Sequence, residues 1–175
     1  MSNISKYIRY FEYQCEQHPD LLHADGNLVF QIASIEEAYS DLKKLSSEYV
    51  FRLPIYTSRV NMPSAGNLAK SNMGGFMLVK WVSQRSGSVP ALKQAFADTE
   101  RIAMDIINKM IVDSRSDYEL FDNSLDIEQD IRLSPILGTH ASGYAGWFVT
   151  FEYNNYLSAC PDDDVWSDGG ETPSL

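Results

Sequence analysis

The sequence predicts an α+β domain with a largely antiparallel four-stranded sheet, one long helix packed on it, extra N-terminal helices and an extended acidic C-terminal tail. Three stretches carry that expectation. From Pro90 to Asp113, residues Leu92, Ala95, Phe96, Thr99, Ala103, Ile106 and Met110 recur at helical spacing, forming one apolar stripe that Ile102, Ile107 and Ile111 widen. Ile131–Leu137 and Tyr144–Tyr153 then read as two strands joined as a hairpin. In the second of them Trp147, Val149, Phe151 and Tyr153 alternate with Phe148, Thr150 and Glu152. Upstream, Tyr49–Val60 and Phe76–Val82 are rich in β-branched and aromatic residues and form a second hairpin around a long connection.

Taken in order, residues 3–18 place Ile4, Tyr7, Ile8, Phe11 and Cys15 on one helical face, with Ser2 or Asn3 as cap and Pro19 as stop. The segment from His18 to Asn27 is turn chemistry, and Leu28–Ile32 fits either a short strand or an extended lead-in. Ser34 with Glu37 forms a capping box, opening a second helix through Ile35, Ala38, Tyr39, Leu42 and Leu45. In Tyr49–Val60 the residues Phe51, Leu53 and Ile55 share a face, and Pro54 implies an edge position or a bulge. Asn61–Gly75, with Pro63, Gly66, Gly74 and Gly75 among small polar residues, reads as a long mobile loop. Ser88 caps the long helix, and Pro90 sits just inside its start, where a missing N–H costs nothing. One domain over residues 1–153 and an acidic tail over 154–175 follow from this order.

The chain has 175 residues, 44% of them hydrophobic and 12% aromatic, enough for a real core without staples. A formal charge of -10 argues against a large nucleic-acid footprint, because phosphate binding needs a basic surface. Cys15 and Cys160 are far apart in sequence, and Lys6 and Arg9 interrupt any leader-like apolar run, so a reducing cytoplasm is the expected setting. No apolar stretch approaches the roughly 20 residues of a membrane span, which leads to the expectation of a soluble protein without membrane contact.

The chemical candidates each have an ordinary reading. His18 and His23, with Asp20 or Asp25, could bind a metal, but their spacing is loose for zinc and suits a polar loop at a helix stop. The glycines near Lys70 fit no phosphate-loop pattern, and a strand follows them where a helix is required. Cys15 reads as a small buried hydrophobe, and the acid around Cys160 raises a thiol pKa instead of activating it. Asp113, Asp117, Glu119 and Asp122 lack the glycine turn of a calcium loop. His140 has no nucleophile motif beside it. No catalytic, cofactor or metal site is expected. Asp162, Asp163 and Asp164 followed by Val165 and Trp166 differ in kind, because an aromatic set in acid suits a docking peptide.

With the hairpin Tyr49–Val60/Phe76–Val82, the helix Pro90–Asp113 and a closing hairpin ending in Gly146-Trp-Phe-Val-Thr-Phe-Glu152, the chain resembles phage tail-terminator and tail-completion proteins. The likeness covers roughly residues 35–153. It is one of element order, together with a final strand of glycine, aromatic, then alternating apolar and polar residues. The resemblance implies a non-enzymatic virion protein, assembled in the host cytoplasm as a homo-oligomeric ring, usually hexameric, between the tail tube and the neck proteins. DNA would pass through such a ring without specific binding. On this reading Asn61, Met62, Lys70, Asn72 and Met73 reach a neighbouring subunit or the tube, and Asp162–Trp166 dock on a partner. The additional N-terminal helix and the acidic tail depart from the family plan. Another neck or connector protein has the same requirements. The competing class is an enzyme or small-ligand domain with a pocket between the long helix and the sheet, for which the sequence offers His140, Tyr144 and scattered acids.

Overall fold

The computed structural model describes residues 3–25, 27, 29–33, 48–64, 67–82, 89–115, 131–137 and 143–157. The elements are α1 (Asn3–Gln17), β1 (Phe30–Ala33), β2 (Tyr49–Pro54), β3 (Thr57–Ser64), β4 (Asn67–Trp81), α2 (Val89–Arg115), β5 (Arg132–Leu137) and β6 (Tyr144–Leu157). The expected helix over residues 34–46 and the cap at Ser88 lie outside the described residues.

The α+β class holds, but among the described residues the sheet is six-stranded and mixed, not four-stranded. Its order is β1-β2-β4-β6-β5, with β3 also paired to β4. Residues 30–33 are a true strand, and β1 lies parallel to β2, with Phe30 opposite Phe51 and Ile32 opposite Leu53. The expected single strand Tyr49–Val60 is two. Pro54 closes β2, Ile55 and Tyr56 cross over, and β3 restarts at Thr57 beside a different part of β4. Ile55 accordingly leaves the face it was expected to share with Phe51 and Leu53 and stands exposed, while those two are buried.

The larger correction concerns Asn61–Gly75, whose described residues are strand and not loop. Asn61–Ser64 complete β3, and β4 runs from Asn67 without interruption to Trp81, antiparallel to β6 along its whole length. Gly74 and Gly75, which looked like loop residues, are there because neighbours press on the strand. A Cβ at Gly74 would lie 2.9 Å from the Phe151 ring, and one at Gly75 would lie 2.6 Å from the carbonyl oxygen of Val149. Asn154–Leu157, assigned to the acidic tail, are also strand, paired with Leu68–Ser71.

Two apolar clusters sit on opposite faces of the sheet, as strand alternation requires. On the first face Phe51, Leu53, Phe76, Leu78, Val149, Phe151 and Tyr153 pack with Tyr7, Phe11 and Cys15 of α1 and with Ile102, Ala103, Ile106 and Met110 of α2. Both helices cover this face, not α2 alone. Ile4 is on the rim and exposed, and Tyr10 and Gln14 widen the buried side of α1 in its place. The second face carries Val50, Met77, Val79, Ile136 and Tyr144. Burial on both faces explains the unbroken apolar run Phe76-Met77-Leu78-Val79.

α2 follows its predicted stripe, with Ala95, Thr99, Ile102, Ala103, Ile106, Ile107 and Met110 buried. Phe96 was expected with them but is only half-buried. Its ring meets Trp147 edge-on at 5.6 Å, and Trp147 Nε1 donates to the Phe96 carbonyl at 3.1 Å, so it seals the margin of the core. No described helix is long and apolar enough to cross a membrane.

Candidate interaction site

Pairing divides the sheet into a body and an arm. In the body, β2 flanks β4 at Met77–Lys80, and β5 flanks β6 at Ala145–Thr150. Beyond those limits three of the described strands continue, β3–β4–β6, with β3 beside Asn67–Met73 and β6 from Glu152 to Leu157 on the other side. The arm extends roughly 20 Å at the usual strand rise. Thr57, Ser58, Arg59 and Val60 are all exposed, with Val60 at 58% and Met73 at 60%. Among the described side chains, neither core cluster includes a residue between Thr57 and Met73, while on β6 Tyr153 belongs to the first cluster.

Where β2 stops and β3 has not begun, β4 passes Gly75 without a described strand on that side. Tyr7 reaches this point from α1. Its hydroxyl donates to the Gly75 carbonyl at 3.0 Å and accepts from the Gly75 N–H at 3.2 Å. One phenol thus satisfies both polar groups of a buried backbone step, which would otherwise be costly. Burial pushes the Tyr7 pKa well above the usual tyrosine range, keeping the hydroxyl protonated and able to donate. Its ring also meets Phe11 and Tyr56 edge-on, each at 5.1 Å, fixing the base of the arm against the body.

At the same level on the second face, Met73, Arg132, Thr150, Phe151 and Glu152 line a depression of about 190 Å³. It lies where β5 ends and leaves β6 unflanked. Ser71 Oγ donates to Glu152 across the ribbon. At the far end of the body, Lys80 Nζ bonds Asp98 of α2 at 2.7 Å and Glu48 at 3.0 Å, and lies 5.0 Å from the centre of the Tyr49 ring. Burial lowers the Lys80 pKa, but the bonds to Asp98 and Glu48 more than reverse that, leaving it above its ordinary value; the same contact with Lys80 holds Asp98 below its own.

The sequence-derived interaction residues are spread by this geometry. Asn61 and Met62 belong to β3, and Lys70, Asn72 and Met73 to β4. Of the three whose side chains are described, Met73 is the exposed one. Asn72 is buried, its Oδ1 accepting from Ser58 Oγ at 2.8 Å, and Lys70 Nζ lies 5.7 Å from the centre of the Tyr56 ring. Asp162, Asp163, Asp164, Val165 and Trp166 lie outside the described residues, as do His140 and Cys160. Arg59, Arg132 and Glu152, now at the arm and its base, were not singled out from sequence. The alternation of Ser58, Val60 and Asn72 against Arg59, Ser71 and Met73 was the available signal.

The chemical candidates have structural roles. His18 Nε2 is 3.5 Å from Asp105 of α2, and His18 Nδ1 accepts from the Asp20 N–H at 3.2 Å. His23 Nδ1 accepts from the Phe30 N–H, also at 3.2 Å. The two imidazoles therefore serve different contacts. Arg101 ties Asp20 to α2 at 2.9 Å. Cys15 is buried, and burial raises its thiol pKa, the opposite of an activated nucleophile. Among the described residues, no group of three or more His, Cys, Asp or Glu side chains is gathered to hold a metal. No protein-family model matches the chain, and no curated protein matches it at a significant level.

Proposed function

We propose that this chain is a non-enzymatic structural protein of a phage virion, a tail-terminator or tail-completion subunit that works as a ring between the tail tube and the neck. The observation that carries the reading is the arm. A ring subunit has to offer one surface to each of two neighbours, and a ribbon tied to the first apolar cluster through Tyr153, with β3 on one margin and the end of β6 on the other, supplies both. The net charge of -10 suits a channel through which DNA slides, since like charges keep the duplex from sticking. Another connector station in the same virion would draw on the same features. The depression at the base of the arm is itself smaller than the roughly 300–1,000 Å³ usual for small-molecule sites.

The test is electron microscopy and native mass spectrometry of the purified full chain, alone and mixed with tail tubes. Rings of one subunit number, seated at tube ends, are the expected result. A chain that stays monomeric at every concentration reached, with tubes present, would overturn the reading.

A further inference from the structure

We propose that copies of this chain join by strand addition at the arm, the outer edge of β3 in one copy pairing with the outer edge of the Glu152–Leu157 half of β6 in the next. This rests on the ring reading for its partner, a second copy, and specifies how the copies meet.

The two edges are open among the described strands. β3 pairs with β4 alone, and β6 past Thr150 has β4 on one side and no described strand on the other. They lie on opposite margins of one ribbon, so a contact between them is head to tail and leaves a free edge at each end until a ring closes. Strand direction fixes the geometry further. Both β3 and β6 run antiparallel to β4, hence parallel to each other, so copies pointing the same way would meet in a parallel pair. A twofold dimer would instead put β3 against β3, or β6 against β6, as an antiparallel pair.

Chemistry also favours the unlike edges. Arg59 sits opposite Ser71 and Glu152 opposite Met73, and those two β4 residues share a face, so the Arg59 and Glu152 side chains project from the same side of the ribbon on opposite margins. Joining β3 to β6 of the next copy sets Arg59 on the same side as that copy's Glu152, whereas β3 against β3 sets arginine near arginine. Thr57–Asn61 carries no proline and precedes the irregularity between Asn61 and Ser64, leaving a regular stretch for pairing. Exposed edges are normally blunted by proline, lysine or a bulge unless they are used, and β3 confines its proline, Pro63, and its irregularity to the residues past Asn61.

The test uses full-length Arg59→Glu, Glu152→Arg and the double variant, with assembly followed by sedimentation and folding by circular dichroism. Each single change should raise the concentration for half-assembly several-fold, because like charges then face each other, and the double variant should recover most of that loss. Amide exchange at 57–61 and 152–157 should slow on assembly. The inference is overturned if the single variants assemble as wild type, if the double variant is no better than the singles, or if only Arg59→Glu matters, which marks a β3–β3 dimer. Slow exchange at both edges already in the monomer, unchanged by assembly, would mean that the chain covers its own edges and would also overturn it. Rings that persist in all three variants would remove the edge contact and leave the ring reading standing; a wild-type chain that never assembles would remove both.

Discussion

Tyr7 is the residue on which the arm and the body most depend. The Gly75 backbone has no strand beside it on one side, and the phenol takes a strand's place with one bond donated and one accepted. Tyr7→Phe keeps the ring and its aromatic contacts but leaves two buried backbone groups unmet, so it should cost about 1–3 kcal/mol, measured by denaturant unfolding. A loss near zero would mean that water replaces the hydroxyl. That Tyr7 faces the core was legible from its spacing with Phe11 and Cys15. Its partner was not, because the bond joins residues 68 apart in sequence and depends on where β2 ends. A second residue-scale prediction concerns acid. Contact with Lys80 lowers the Asp98 pKa in the folded chain, so the stability it gives is full above the ordinary carboxylate value of about 3.9 and is lost as pH falls through the lower folded value. Asp98→Asn should therefore destabilise the protein at neutral pH and flatten that part of the acid unfolding curve. An unchanged curve would show that the pair does not couple to folding.

At the scale of elements, helices were read more securely than strands, and the reason is physical. A helix on a sheet declares itself through one continuous apolar stripe, and α2 kept most of its predicted buried positions, Leu92, Phe96 and Ile111 being half-buried. Ile106, almost wholly buried in that stripe, should cost about 2–5 kcal/mol when cut to alanine, by thermal or denaturant unfolding. A loss below about half a kcal/mol would mean the wrong face had been assigned. β4 was legible only in part, because it serves two environments. From Phe76 to Val79 it is buried on both faces and reads as a strand without difficulty. From Asn67 to Gly75 its composition becomes that of a loop, although Asn72, Gly74 and Gly75 are buried and its register with β6 never breaks. Apolar patterning reports burial, not hydrogen bonding, so a strand paired only within a ribbon gives little signal. The same limit hid the continuation of β6 through Asn154–Leu157 and the parallel addition of β1.

Across the whole molecule, the body and the arm are stabilised by different means, and this separates folding from assembly. The body holds both described helices and all of the two apolar clusters but Tyr153, whereas the described part of the arm past that residue holds its shape through backbone pairing and small polar contacts such as Ser58 with Asn72. Arg59 stands opposite Ser71 across the ribbon, so replacing residues 60–70 with an Asn-Gly turn would close the hairpin early while sparing Tyr7, Gly75 and the base of the arm. Little apolar burial among the described side chains is lost by that change. The shortened chain should therefore melt within a few degrees of the parent, since about 1 kcal/mol moves the midpoint by roughly 2–4 °C in a protein of this size. Assembly should fail, because β3 keeps too few residues to pair with a neighbour and β6 loses its support past Asn154. Calorimetry and sedimentation on the same preparation check both halves. A midpoint that collapses would show that the arm is part of the folding unit, and intact rings from a stably folded, shortened chain would show that the copies meet elsewhere.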